Sequence, residues 1–147
     1  MTVSQACLDV IKKFEGLRLN PYCDLAGLWT VGFGHKMTAA ELADGGHDRA
    51  ITQPDALRLL IDDADWAADQ VARLVHVPLT QGQFDALVDF TYNLGAARLE
   101  SSTLLKMLNL GNYSDAGQQL LLWDRVGQVR MGGLALRRQA ELSLWGS

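Results

Sequence analysis

Three residues in the stretch EGLRLNPYCDLAGLWTVGFGH (residues 15–35) have types and a spacing that suit cleavage of a glycosidic bond: Glu15, Asp24 and Thr30. Glu15 stands before Gly16, where a first helix should stop, and the unpaired carbonyls of a helix C-terminus carry partial negative charge. That field disfavours a carboxylate and favours its protonated form, the state a general acid needs. Asp24 lies nine residues on, after a strand, and Thr30 six further on, in the next strand. A carboxyl facing a carboxylate and a hydroxyl supplies an acid and a water-holding pair, and glycoside hydrolysis sets two such groups on either side of the scissile bond. Taken singly each residue is ordinary: a Glu before a helix-ending Gly is usually solvated, an Asp beside Ala-Gly usually serves a turn, and Thr is a good strand former. Only the joint spacing carries the catalytic reading.

Other chemistries find little support. His35, His47 and His76 are scattered, and none has a helical His partner for a metal. There is no Gly-x-Ser-x-Gly elbow, and Gly32-Phe33-Gly34 is too short and wrongly placed for a phosphate loop. Two cysteines, Cys7 and Cys23, make neither a disulfide framework nor a four-cysteine zinc site, and read as plain thiols.

The elements that must position the triplet follow from periodicity. Val3, Cys7, Val10, Ile11 and Phe14 recur at helical spacing, which predicts a helix over 3–15 closed by Gly16. Residues 17–35 break that period: Pro21, Gly27 and Gly32 punctuate, while Trp29, Val31 and Phe33 alternate as one face of a strand, so a small antiparallel sheet is expected. Thr38 can cap a short helix ending near residues 44–46. Thr52, Pro54 and Asp55 open a long helix to about residue 75, with Leu57, Leu60, Ile61, Ala64, Ala68, Val71 and Val75 on its apolar side. At 1.5 Å per residue that helix spans roughly 35 Å, long enough to act as a spine between two lobes. Thr80 and Gln83 form a capping box for a helix to Leu94 closed by Gly95. Helices near 102–110 and 114–124, a glycine-containing loop over 126–133 and a last helix over 134–145 complete the chain. The class is α+β, in one domain over 1–147.

The 147 residues are 48% hydrophobic with a net charge of −4, which excludes disorder and argues against a protein that coats nucleic acid. The charge is uneven: residues 1–30 are neutral, 31–97 sum to −6 and 98–147 to +2, so a polyanion would be met by the last third. No apolar stretch approaches a transmembrane span, and Asp9 interrupts the place of a secretory signal core, so no stable membrane insertion and a cytoplasmic origin are expected.

The chain resembles the phage endolysin lysozymes, glycoside hydrolase family 24. Glu15, Asp24 and Thr30 match the family signature Glu-x8-Asp/Cys-x5-Thr, and the flanking Phe14–Leu19, Tyr22 and Thr30–His35 resemble its N-terminal block. Leu79–Leu87 through Asn93-Leu94-Gly95 is similar to its central helix, and Ser102–Leu105, Trp123 and Gly133–Glu141 to its C-terminal block, so nearly the whole chain is covered in order. The resemblance implies a mainly helical two-lobe lysozyme fold with a small N-terminal sheet and a long linking helix. It implies hydrolysis of the β-1,4 bond between N-acetylmuramic acid and N-acetylglucosamine in peptidoglycan. Glu15 would be the acid, and Asp24 and Thr30 would position water for an inverting attack. It implies no cofactor and no metal. Phe33, Asn93, Leu94 and Gly95 would line the cleft, with Trp123 nearby. Arg137 would pair with the catalytic Glu, and His35 with Asp63 (or the adjacent Asp62) in a structural role. Trp66 and Trp145 are expected in the core or in lobe packing. The same resemblance implies a monomer made in the host cytoplasm, released by a holin-type pore and acting on the wall from the periplasm. The acidic balance departs from the many basic members. Two other activities fit parts of the pattern: a lytic transglycosylase, which would need no water-holding pair, and a non-catalytic peptidoglycan-binding module, which would need no triplet.

Overall fold

A computed structural model describes all residues, Met1–Ser147, and the chain forms two compact units, Ile11–Asp63 and Met1–Val10 with Ala64–Ser147. The division falls inside two helices, α1 (Gln5–Glu15) and α3 (Gln53–Leu74).

The unit of Ile11–Asp63 carries the sheet. α1 ends as expected at Gly16, which takes a φ of 70°. Three strands follow in the order β1 (Arg18–Cys23), β2 (Trp29–Gly32) and β3 (His35–Lys36), both pairings antiparallel. Pro21 is tolerated because β1 is an edge strand, where a missing amide donor costs little. Tyr22 lies opposite Thr30, and Thr30 opposite Lys36. The predicted one-sided face of Trp29, Val31 and Phe33 needs correction. β2 is the middle strand and buries Thr30 as fully as Val31, while Phe33 falls in the turn to β3. A short helix α2 (Ala39–Ala43) opens on a capping box between Thr38 and Glu41, and the start of α3 is held by reciprocal backbone hydrogen bonds between Thr52 and Asp55.

α3 occupies almost the predicted range, but its buried side is Ala56, Leu60, Ala64, Ala67, Val71 and Leu74. Leu57 and Ile61 are 41% and 47% exposed, and Trp66, expected in the core or in lobe packing, is 52% exposed. Leu60, Ala64 and Val71 are buried as expected, and Ala56 and Ala67, small enough for close packing, take the inward places that Leu57 and Ile61 do not.

The other unit is built on α4 (Gln81–Leu94), capped by Thr80 and Gln83 as expected and buried without interruption from Phe84 to Thr91. Asp85 of α4 accepts hydrogen bonds from the amide (3.2 Å) and hydroxyl of Ser4, anchoring the start of α1. α8 (Gly132–Trp145) packs along α4, so closely that a Cβ on Gly82 would collide with the Leu144 carbonyl. Trp145 is buried, as expected. Between them lie α5 (Ala96–Glu100), unforeseen in the sequence, α6 (Thr103–Asn109) and α7 (Tyr113–Gln119), the last followed by a 3-10 turn over Leu120–Leu122. The segment read as a loop is instead a hairpin of β4 (Arg125–Val126) and β5 (Val129–Arg130), with α8 starting directly after it. Gly127 at φ 61° makes its turn, and Arg130 Nε donates to Asp124 at 2.7 Å across its base.

Candidate active site

Glu15 is the last residue of α1 and half-buried, and its side chain lies against Gly34 in the β2–β3 turn. A Cβ on Gly34 would sit 2.9 Å from the Glu15 Cδ, and Gly34 takes a φ of 74°. The positive φ favours glycine there, and a Cβ would push the Glu15 carboxyl out of its place.

Asp24 begins the turn after β1. Its Oδ1 accepts from the amides of Ala26 (2.9 Å) and Leu28 (2.8 Å), and its Oδ2 accepts from Lys36 Nζ (2.6 Å). The hydrogen bond from Lys36 and then that from the Leu28 amide hold its carboxyl below the usual range, against the opposing effect of burial. Thr30 is fully buried, and its hydroxyl donates to the Leu28 carbonyl at 3.0 Å and accepts from Lys36 Nζ at 3.2 Å. The structure thus brings Asp24 and Thr30 together on one lysine that the sequence reading did not single out. Strand register carries the missing signal, because Lys36 stands opposite Thr30 only once β2 and β3 pair.

His35 is buried and meets Asp63 through Nδ1 at 2.7 Å, in agreement with the pairing implied by resemblance, and also meets Glu41 through Nε2 at 3.0 Å. Two carboxylate acceptors, one on each ring nitrogen, call for the imidazolium. The Asp63 hydrogen bond, opposed by burial and assisted by Glu41, pushes the His35 pKa up to about 9. A histidine raised above its unfolded value of about 6.5 contributes its full stabilisation below that pH and loses it as pH rises through about 9. Asp63→Asn is therefore expected to cost about 2 kcal/mol, roughly 5 °C in Tm, at pH 6. The gap should close in thermal melts at pH 10, and a gap of constant size would contradict the ion pair.

Phe33 is buried in the β2–β3 turn of the same unit. Asn93, Leu94, Gly95 and Arg137 belong to the other unit, at the C-terminal end of α4 and on α8. Asn93 Oδ1 accepts from Arg138 Nη2 at 2.8 Å, and Trp123 meets Phe90 edge-on at 5.4 Å. Arg137 forms a two-point pair with Asp89 of α4, Nε to Oδ2 at 2.9 Å and Nη2 to Oδ1 at 2.8 Å, both side chains buried. Asp89 was not singled out in the sequence, where it reads as one more residue of a buried helix.

The phage lysozyme family model matches residues 12–141. An endolysin of Bacillus phage B103 is 40% identical over 147 residues, covering 99% of this chain but 54% of that protein, so the chain spans about half the length of that relative. The muramidase domain of SpmX from Asticaccaulis excentricus superposes with a TM-score of 0.87 at 34% identity, covering 99% of this chain and 98% of that one. An endolysin from Escherichia coli O157:H7 phage FAHEc1 gives a TM-score of 0.85 at 35% identity, with coverage of 99% and 93%. Matching sequence over nearly its whole length and matching folds at this identity, the chain belongs to the phage lysozyme family.

Proposed function

We propose that the chain cleaves the β-1,4 bond between N-acetylmuramic acid and N-acetylglucosamine with Glu15 as general acid and Asp24 and Thr30 as the holders of the attacking water. One observation supports this most directly. The Thr30 hydroxyl spends its hydrogen on the Leu28 carbonyl, so that Thr30 and the ionised Asp24 present two acceptor oxygens, each bound to the same ammonium. A water that donates one hydrogen to each keeps a lone pair free to attack the anomeric carbon. As it attacks, its proton passes to Asp24 and the C1–O bond breaks. The leaving oxygen takes the electron pair and the proton of Glu15. Displacement from the face opposite the leaving group inverts the configuration. Asn93, Leu94, Gly95, Phe33 and Arg137 belong to the same proposal as substrate-binding residues. So do a monomeric state and passage from the host cytoplasm to the periplasm through a holin-type pore.

The test is product chemistry. Mass spectrometry of digested muropeptides should find reducing ends and a gain of one water, with the α-anomer formed first by NMR. Ends of 1,6-anhydro type would instead assign a lytic transglycosylase. Asp24→Asn should lower turnover by about a hundred-fold, the scale of a lost general base. Full activity in that variant would remove Asp24 from the water-holding pair.

A further inference from the structure

Lys36 is drawn into the site by strand pairing rather than by sequence proximity. It stands opposite Thr30 in the β2–β3 register, and its ammonium reaches both Thr30 Oγ1 (3.2 Å) and Asp24 Oδ2 (2.6 Å). The other hydrogen bonds of the pair are local to the turn between β1 and β2. Asp24 Oδ1 takes the Ala26 and Leu28 amides, and the Leu28 carbonyl takes both the Asp24 amide and the Thr30 hydroxyl. Without Lys36, Asp24 Oδ2 would have no donor to fix it, and the Thr30 oxygen would be oriented by one bond alone.

We propose that Lys36 is a positioning residue for the hydrolytic water, one ammonium fixing the spacing and orientation of the two oxygens that receive the water's hydrogens. The proposal rests on the reading of Asp24 and Thr30 as the water-holding pair. Lys36 itself forms and breaks no bond. It keeps Asp24 ionised, ready to accept the proton, and ties the Thr30 hydroxyl to the same ammonium. Two of its three hydrogens go to these oxygens, and the half-exposed side chain leaves the third to solvent.

The charged and titratable groups around Asp24 are few. Lys36 comes from β3. From β1 come Cys23, Tyr22 and Arg18, whose guanidinium lies 4.0 Å over the Tyr22 ring. From α1 comes Glu15, against the β2–β3 turn at Gly34. Lys36 is the cation in contact with the carboxylate, so its removal shifts the protonation of Asp24 toward higher pH.

The experiment measures kcat and KM across pH on soluble glycan-strand fragments for wild type, Lys36→Met, Lys36→Arg and Asp24→Asn, each checked by thermal melting. Lys36→Met should lower kcat about ten-fold with KM changed less than about two-fold, and should move the acidic limb of the pH profile upward. Lys36→Arg, which can also bridge two acceptors, should restore most of the rate and return the limb. Unchanged kcat in Lys36→Met, a loss with the limb unmoved, or a loss confined to KM would each overturn the proposal. The last of these would make Lys36 a substrate contact. Asp24→Asn separates the two failures. If it stays active, the water-pair reading falls; if it is inactive while Lys36→Met behaves as wild type, only the role of Lys36 falls.

Discussion

Replacing Glu15 by Gln is expected to lower kcat/KM on peptidoglycan by about a hundred-fold or more, some 2.7 kcal/mol of transition-state stabilisation. The leaving group in this reaction is a sugar hydroxyl, a poor one unless protonated as the bond breaks, and an amide cannot supply that proton. Gln has the size and shape of Glu, so the close contact with Gly34 survives and the change tests chemistry rather than packing. The residue closes α1 and its neighbour Gly16 makes the chain's exit from the helix, so backbone position is set independently of the side-chain charge. Clearing of outer-membrane-permeabilised Gram-negative cells measures the loss, and a melting temperature within a few degrees of wild type shows that the fold is kept. Lysis by Glu15→Gln at the wild-type rate would remove Glu15 from the role of acid. Because Asp24 sits in the turn after β1 and Thr30 on β2, their single variants test a different part of the reaction, the delivery of water.

What was legible in the sequence is what short range determines. Gly16 stops α1, Thr38 caps α2, and Thr80 with Gln83 opens α4, because each of these signals acts within four residues of itself. The proposed triplet of Glu15, Asp24 and Thr30 could be picked out for the same reason, all three residues lying in one hairpin-containing stretch. Where partners come from afar, the pattern misled. Hydrophobicity along α3 pointed to Leu57 and Ile61, but the neighbouring elements select Ala56 and Ala67, and Trp66 is left largely outside. The β4–β5 hairpin escaped because two-residue strands are too short to show alternation, although Gly127 between two valines was its signal. α5 escaped because Gly95 ends one helix and caps the next in a single residue. Lys36 and Asp89 escaped because each takes its meaning from a partner on another element.

Asp89 makes the second large prediction. Its carboxylate is wholly buried and holds the Arg137 guanidinium by two parallel hydrogen bonds of 2.8 and 2.9 Å. Asp89→Ala removes two charge-assisted hydrogen bonds from that buried guanidinium, and breaking a buried ion pair by removing one partner costs about 3–5 kcal/mol. The neighbouring Arg138–Glu141 pair is itself incompletely satisfied. Arg138 already has Nε and Nη1 buried without a hydrogen-bond partner, and burial pushes the Glu141 carboxyl well above its usual range, with the Arg138 guanidinium opposing. A neutralised Glu141 would be a poor substitute for Asp89. For a chain of this size the expected fall in Tm is about 10 °C, read by calorimetry. Asp89→Asn, which keeps the volume and one acceptor, should fall by less. The paired change Asp89→Leu with Arg137→Met should recover much of the loss, since removing both charges also removes the cost of burying them. A decrease of only a few degrees in Asp89→Ala, or a double variant no better than the single one, would mean that the pair is not what holds α8 against α4.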